Sequence, residues 1–136
     1  MKTTIDLVND VFTLLNVPVL TGAISGKVYK HRRPTNSKKE DIVVNCLPVT
    51  GDQLQTAVVN INIHVANLKL QLNGTTDLSQ PDHVRLNAIA GLVTPLIEDA
   101  SINDLVTSVQ QQTVIEEAEI DEHYINIRVN IFNINV

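Results

Sequence analysis

Between Thr56 and Leu72 the chain reads TAVVNINIHVANLKLQL, in which Val59, Ile61, Ile63 and Val65 alternate with Asn60, Asn62, His64 and Ala66. A period of two sends successive side chains to opposite faces of an extended strand, so the β-branched residues look toward a core and the amides look away. The closing segment Tyr124–Val136 repeats the device, with Ile125, Ile127, Val129 and Ile131 on one side and Asn126, Arg128 and Asn130 on the other. Two such strands form the centre of a sheet with one apolar face, and something apolar must cover that face. The odd positions stay apolar only through Val65, after which Leu68, Leu70 and Leu72 fall on even ones, predicting a bulge or break near Ala66–Asn67. A similar change at Ile131-Phe132, leaving Phe132, Ile134 and Val136 on the other side, predicts a second bulge.

Two stretches have the helical period needed for the cover. In Thr3–Asn16, Val8, Val11, Phe12 and Leu15 recur at three and four residues. Thr3 or Thr4 can cap this helix, Asp6 suits its first turn, and Val17-Pro18 ends it. In Asp82–Glu98, Val84, Ala88, Ile89, Leu92, Val93, Leu96 and Ile97 keep a stripe, and Pro95 predicts a kink or an early stop near Val93. The second helix should lie beside the first.

The remaining segments connect these elements. Thr21–Gly26 is a turn, Lys27–His31 a short strand, and His31–Asp41 (HRRPTNSKKED) a charged stretch with almost nothing apolar to bury, expected to be a mobile, solvated loop. Ile42–Leu47 is a strand closed by Pro48 and a turn at Thr50-Gly51-Asp52. Asn73-Gly74 with Thr75–Gln80 forms a connection, Leu105–Ile115 a polar strand, and Glu116–Glu122 an acidic link into the last strand. At 136 residues the chain suits one domain, 1–136, and 43% hydrophobic content with only 3% aromatic means a core of Val, Ile and Leu. The fold class expected is α+β: a mostly antiparallel, mixed sheet of about four to five strands with two helices on one face.

A net charge of −5 gives no overall attraction to nucleic acid or to anionic membranes. No segment approaches the ~20 apolar residues that span a bilayer, and no signal-peptide pattern opens the chain, so a soluble, unexported protein is expected. Cys46 is the single cysteine, so no intramolecular disulfide is possible, nothing favours an oxidising compartment, an intracellular origin is the simple reading, and a buried core thiol is expected. His31, His64, His83 and His123 lack metal-ligand spacing, no serine sits in a Gly-x-Ser-x-Gly setting, and no glycine-rich phosphate loop is present. No catalytic, cofactor or metal constellation emerges, and an enzyme is disfavoured.

Charge is nevertheless segregated. Six of the ten basic residues lie in Lys27–Lys39, with Lys30, Arg32, Arg33, Lys38 and Lys39 in and beside the loop. Such a loop suits a phosphate backbone, a protein contact or plain solvation, the protein contact being favoured. Glu116, Glu117, Glu119, Asp121 and Glu122 lack the glycine turn of a hard-cation loop, so a solvated acidic turn is the ordinary reading. Opposite patches on one chain can also meet head to tail between identical subunits.

The opening helix, then Ile24-Ser25-Gly26-Lys27-Val28-Tyr29 followed by Arg33-Pro34, the strands Ile42-Val43-Val44-Asn45 and Val58–Val65, the helix Asp82–Glu98 and the alternating last strand follow one order. In that order the chain resembles the tail-completion or tail-terminator proteins of long-tailed bacteriophages and prophages, most specifically around Gly26–Pro34. It departs where the family often has Pro before the second strand and this chain has Lys39-Glu40-Asp41. The resemblance implies a non-enzymatic protomer without cofactors that forms a homo-oligomeric ring, as a hexamer, capping the tail tube and joining it to the head connector. It also implies a life in the bacterial host cytoplasm during assembly and then in the virion tail or neck. The alternative is a small protein- or ligand-binding module, monomeric or dimeric.

Overall fold

The computed structural model describes residues 1–49, 51 and 54–134, with Ile134 by its backbone alone. Helix α1, Thr4–Leu15, starts at a reciprocal cap: the Asp6 N–H donates to Thr3 Oγ1 at 3.0 Å, and the Thr3 N–H donates to the Asp6 carboxylate at 2.9 Å. Its buried side chains Leu7, Val8, Val11 and Leu15 form one stripe. Val17 is extended, as the residue before a proline must be, and Pro18 opens α2, Pro18–Thr21. Four residues are too few for a hydrophobic period, so this turn of helix left no pattern in the sequence.

Six strands form the main sheet among the described residues: β1 (Val28–Lys30), β2 (Ile42–Cys46), β3 (Leu54–Ala66), β6 (Ser101–Ile102), β7 (Leu105–Glu117) and β8 (Glu122–Ile134). A separate hairpin joins β4 (Leu70–Leu72) to β5 (Thr75–Asp77), and α3 spans His83–Ile97. The sheet order is β1-β2-β3-β8-β7-β6, with β1 parallel to β2 and every other pair antiparallel. At its centre β3 and β8 pair without interruption from Leu54 opposite Ile134 to Ala66 opposite Glu122. Val59, Ile61 and Ile63 thereby stand beside Val129, Ile127 and Ile125, and α1 and α3 lie side by side over this face. The α+β class and the apolar face are as expected, but the strand count is higher. The extra strands are two or three residues long, below the length at which alternation can be read. Their turns do carry a signal: Asn73 and Gly74 (φ 51° and 76°) and Asn103 and Asp104 (φ 46° and 68°) take left-handed angles suited to tight hairpins.

The phase change near Ala66–Asn67 is a break, one of the two outcomes expected, with β3 stopping at Ala66 and the chain leaving for the β4–β5 hairpin. Other expectations need correction. The bulge expected at Ile131-Phe132 does not form; Ile131 and Asn133 are both buried on the core side and Phe132 faces the other way. Asn133 can occupy a core position because its Nδ2 donates to Gln55 Oε1 at 3.2 Å, and Gln55 in turn bonds the Lys2 backbone at 3.1 and 2.7 Å. A buried amide with its hydrogen bonds satisfied thus keeps the strand's alternation unbroken where apolar content alone suggests a change of phase. The bulge lies in β7 instead, between Val109 and Gln111. Nor does Pro95 stop α3 near Val93. It sits in the last turn, where only one ladder bond is forfeited before the helix ends at Ile97. The acidic link is shorter than expected, because β7 runs through Glu117 and β8 starts at Glu122, with a 3-10 turn, Ala118–Ile120, between them. The turn expected at Thr50-Gly51-Asp52 and the facing of Val136 lie outside the described residues, Gly51 excepted.

Candidate functional site

Composition gave His31–Asp41 no reason to bury anything, yet the loop folds two of its charges inward over the polar face of the sheet. Arg33 Nη2 donates to Glu122 Oε1 at 2.6 Å, and Nη1 lies 3.5 Å from Asp41 Oδ2. The side chains of Asp41 and Glu122 are 0% and 1% exposed and that of Arg33 is 13% exposed. Asp41 also accepts from the Ser37 hydroxyl and, at 3.3 Å, from the Lys27 N–H. Gly26 permits this arrangement, since a Cβ there would run into Asp41 Oδ1 and the Glu40 carbonyl. The neighbouring Glu40 binds Arg85 of α3 at 2.5 Å, which lowers the Glu40 pKa and ties the loop to the helix layer.

The same cluster takes in His64, whose ring lies beside Tyr124 with centroids 5.1 Å apart. Its Nδ1 is 3.6 Å from Glu122 Oε1 and 3.7 Å from Glu117 Oε1, beyond hydrogen-bond reach, and among the described residues Nδ1 and Glu122 Oε2 are buried without a hydrogen-bond partner. Burial, and secondarily the Arg33 guanidinium, hold the His64 pKa down at about 4 against the opposing pull of Asp41. The ring is therefore neutral at pH 7, and the contacts with the two glutamates are not ion pairs there. Because the folded value lies below the unfolded 6.5, the associated stability is complete above about pH 6.5 and lost as pH falls toward 4, amounting to about 3 kcal/mol. Urea unfolding between pH 7 and 4.5 should show this loss in the native chain and a flatter profile in His64→Gln. Parallel profiles would mean that the ring is hydrated and contributes nothing.

The charged residues singled out in the sequence thus separate into two groups. Arg33 and Glu122 are brought together, but within one chain. Lys30, Arg32, Lys38 and Lys39 are exposed, with Lys30 Nζ 4.7 Å above the Phe12 ring. Glu116, Glu119 and Asp121 are exposed and Glu117 half-buried, Asp121 adopting φ 54° before β8. Asp41, Ser37 and His64 were missed as members of a cluster. The available signal was an acid directly before a β-branched run, in line with a histidine on the strand that pairs with it.

Around the cluster the polar face carries an amide ladder. Asn60 Nδ2 donates to Asn45 Oδ1 at 3.2 Å, and Asn126 Nδ2 reaches Asn60 at 3.2 Å and Asn62 at 2.8 Å. Toward the far end of the same face lies an apolar groove of about 420 Å³, whose lining includes Leu47, Pro48, Val58 and Phe132. Cys46, expected to be a buried core thiol, is half-buried; burial raises its pKa, and its Sγ lies 3.1 Å from the Leu47 carbonyl. Among the described residues no group of three or more His, Cys, Asp or Glu is placed to hold a metal ion, and no helix is long and apolar enough to cross a membrane.

No family model matches the chain, and no curated protein matches it by sequence. Among solved structures, the chain is similar to one described as "Virion of native gene transfer agent (GTA) particle", with a TM-score of 0.67 and 14% identity, covering 95% of each chain. At that identity the likeness establishes a shared fold over nearly the full length of both.

Proposed function

We propose that this chain is a structural protein of a phage-like virion, specifically a tail-completion or tail-terminator protein. In this reading it forms a ring, a hexamer, that caps the tail tube and meets the head connector, acting without catalysis or cofactor. The observation that carries the reading is the fold shared with a chain of the gene transfer agent virion across 95% of both. The element order and the Gly26–Pro34 stretch, which resemble the tail-completion family, support the finer role. Segregated exposed charge suits contacts between unlike surfaces.

A binding module acting as monomer or dimer is the second reading, favoured by the apolar groove between Leu47 and Phe132. Light scattering at several concentrations, followed by negative-stain imaging, separates the two. Ring-shaped particles growing with concentration support the first, and a constant mass of one or two chains overturns it. Because Arg33 is half-buried and tied to Asp41 and Glu122, the charge test uses exposed residues only: Arg32→Glu with Lys39→Glu should leave the melting curve within about 0.5 kcal/mol of the native one. It should weaken assembly, as should raising salt from about 0.05 to 0.5 M, where the screening length falls well below 10 Å. Assembly indifferent to both would exclude the basic loop from the interface.

A further inference from the structure

We propose that copies of this chain join edge to edge, β7 of one copy adding antiparallel to β1 of the next, so that one sheet continues through the assembly. The inference rests on the ring reading above and supplies its contact surface.

The first observation is an open strand edge. β7 pairs with β8 along its length, but on its outer side β6 reaches only Leu105 and Val106, and the Thr107 N–H finds the Ala100 carbonyl. Beyond that point, among the described residues, no backbone group pairs with the outer side of Ser108–Glu117. Natural edge strands discourage pairing with lysine, proline, bulges or brevity. This one has no Lys, Arg or Pro from Ser108 to Ile115, and its bulge at Val109/Gln111 leaves Gln111–Glu117 regular. Gln111, Gln112, Thr113 and Val114 are all exposed. An edge of this length, left unprotected, is suited to strand addition.

The second observation is the opposite edge. Among the described residues β1 pairs only with β2, and an open groove whose lining includes Phe12, Asn16, Thr21, Lys27 and Val28 adjoins it. Following the order β1-β2-β3-β8-β7, one parallel step and three antiparallel steps leave β7 antiparallel to β1. A rotation axis running along the strands preserves those directions from copy to copy, so the new joint would be antiparallel.

Charge then selects the occupant. The row Val28, Ile42, Ile63, Ile125, Val114 crosses the sheet, which puts Lys27, one residue before Val28, at the same end as Glu116 and Glu117, just past Val114. Exposed Lys38 and Lys39 lead back to that end, since the Glu40 carbonyl accepts from the Gly26 N–H, while exposed Glu119 and Asp121 extend the acidic side. The basic β1 edge and the acidic β7 edge of a single chain are therefore complementary, and the partner that fits is a second copy. Unlike surfaces meeting this way close into a ring when the rotation divides the circle.

Amide hydrogen exchange on the full chain, below and above the assembly concentration, tests the joint directly. Exchange should slow about tenfold or more in both Gln111–Glu117 and Val28–Lys30 on assembly. Lys27→Glu and Glu116→Lys should each weaken association about tenfold, and mixing the two variants should restore it, because every joint in an alternating ring again pairs opposite charges. Particles that form without new protection at these edges overturn the joint while leaving the ring reading intact, as does failure of the mixed variants to recover. Protection confined to β7 overturns it in favour of β7 pairing with some segment of a second copy other than β1. A chain that stays single at every concentration overturns both readings.

Discussion

Ile127→Asp should abolish folding. Ile127 is 0% exposed at the middle of β8, flanked by Ile61 on β3 and Gln112 on β7, with the helix layer above it. An aspartate there has no cation on the apolar face to pair with, and an unpaired buried charge costs several kcal/mol against a total stability of about 5–15 kcal/mol. Expression should yield insoluble protein or a chain without a cooperative melt. Ile61→Asp, its cross-strand neighbour, should behave alike. Two controls isolate the cause: Ile127→Val should cost only about 0.5–1.5 kcal/mol, and Asn130→Asp, on the opposite face of the same strand, should stay within about 1 kcal/mol of the native chain. A soluble, cooperatively melting Ile127→Asp protein would mean that the two faces of the sheet are reversed.

That prediction could be made from the sequence because a period of two over eight residues has few explanations other than a half-buried strand. The first helix was legible from its apolar period and from Thr3 or Thr4 as a cap, while the reciprocal bonds between Thr3 and Asp6 emerge from the structure. Legibility failed where a single residue defied its class. Asn133 and Gln55 lie on the core side because each is bonded to another amide or to the Lys2 backbone, and no local pattern announces such distant partners. Pro95 was given too much weight, since its cost depends on how much helix follows it. The parallel β1–β2 pair was equally hidden, being set by a crossover through the charged loop and not by any residue in either strand.

The loop itself shows a different limit. Averaged over eleven residues, His31–Asp41 is among the most polar parts of the chain, and the average describes Arg32, Lys38 and Lys39 well. It fails for Arg33, which is half-buried, and for Asp41, which is fully buried, because each neutralises the other and Glu122 from β8 completes the set. Burial of charge is decided by the partners available in three dimensions, and Glu122 is 89 residues away from Arg33. Two oppositely charged patches in one sequence can thus meet within a subunit, between subunits, or both. Here Arg33 and Glu122 are used inside the chain, while Lys27, Lys38, Lys39 and Glu116 remain at its surface for contacts outside it.

Removing the central cation should expose how much the cluster depends on it. Arg33→Met keeps most of the aliphatic stem but leaves Asp41 and Glu122 as buried carboxylates, Asp41 still bonded to Ser37 and Lys27, and Glu122 with one oxygen already unpartnered. Breaking a buried pair from one side typically costs about 3–5 kcal/mol, because the charge left behind has neither water nor counterion. Urea unfolding at pH 7 should register a loss of that size. Adding Asp41→Asn and Glu122→Gln to Arg33→Met should recover part of the loss, as removing all three charges also removes the penalty of stranding any of them. If Arg33→Met unfolds like the native chain at pH 7, the carboxylates are reached by water, and Arg33 is then a surface charge available to a neighbouring subunit after all.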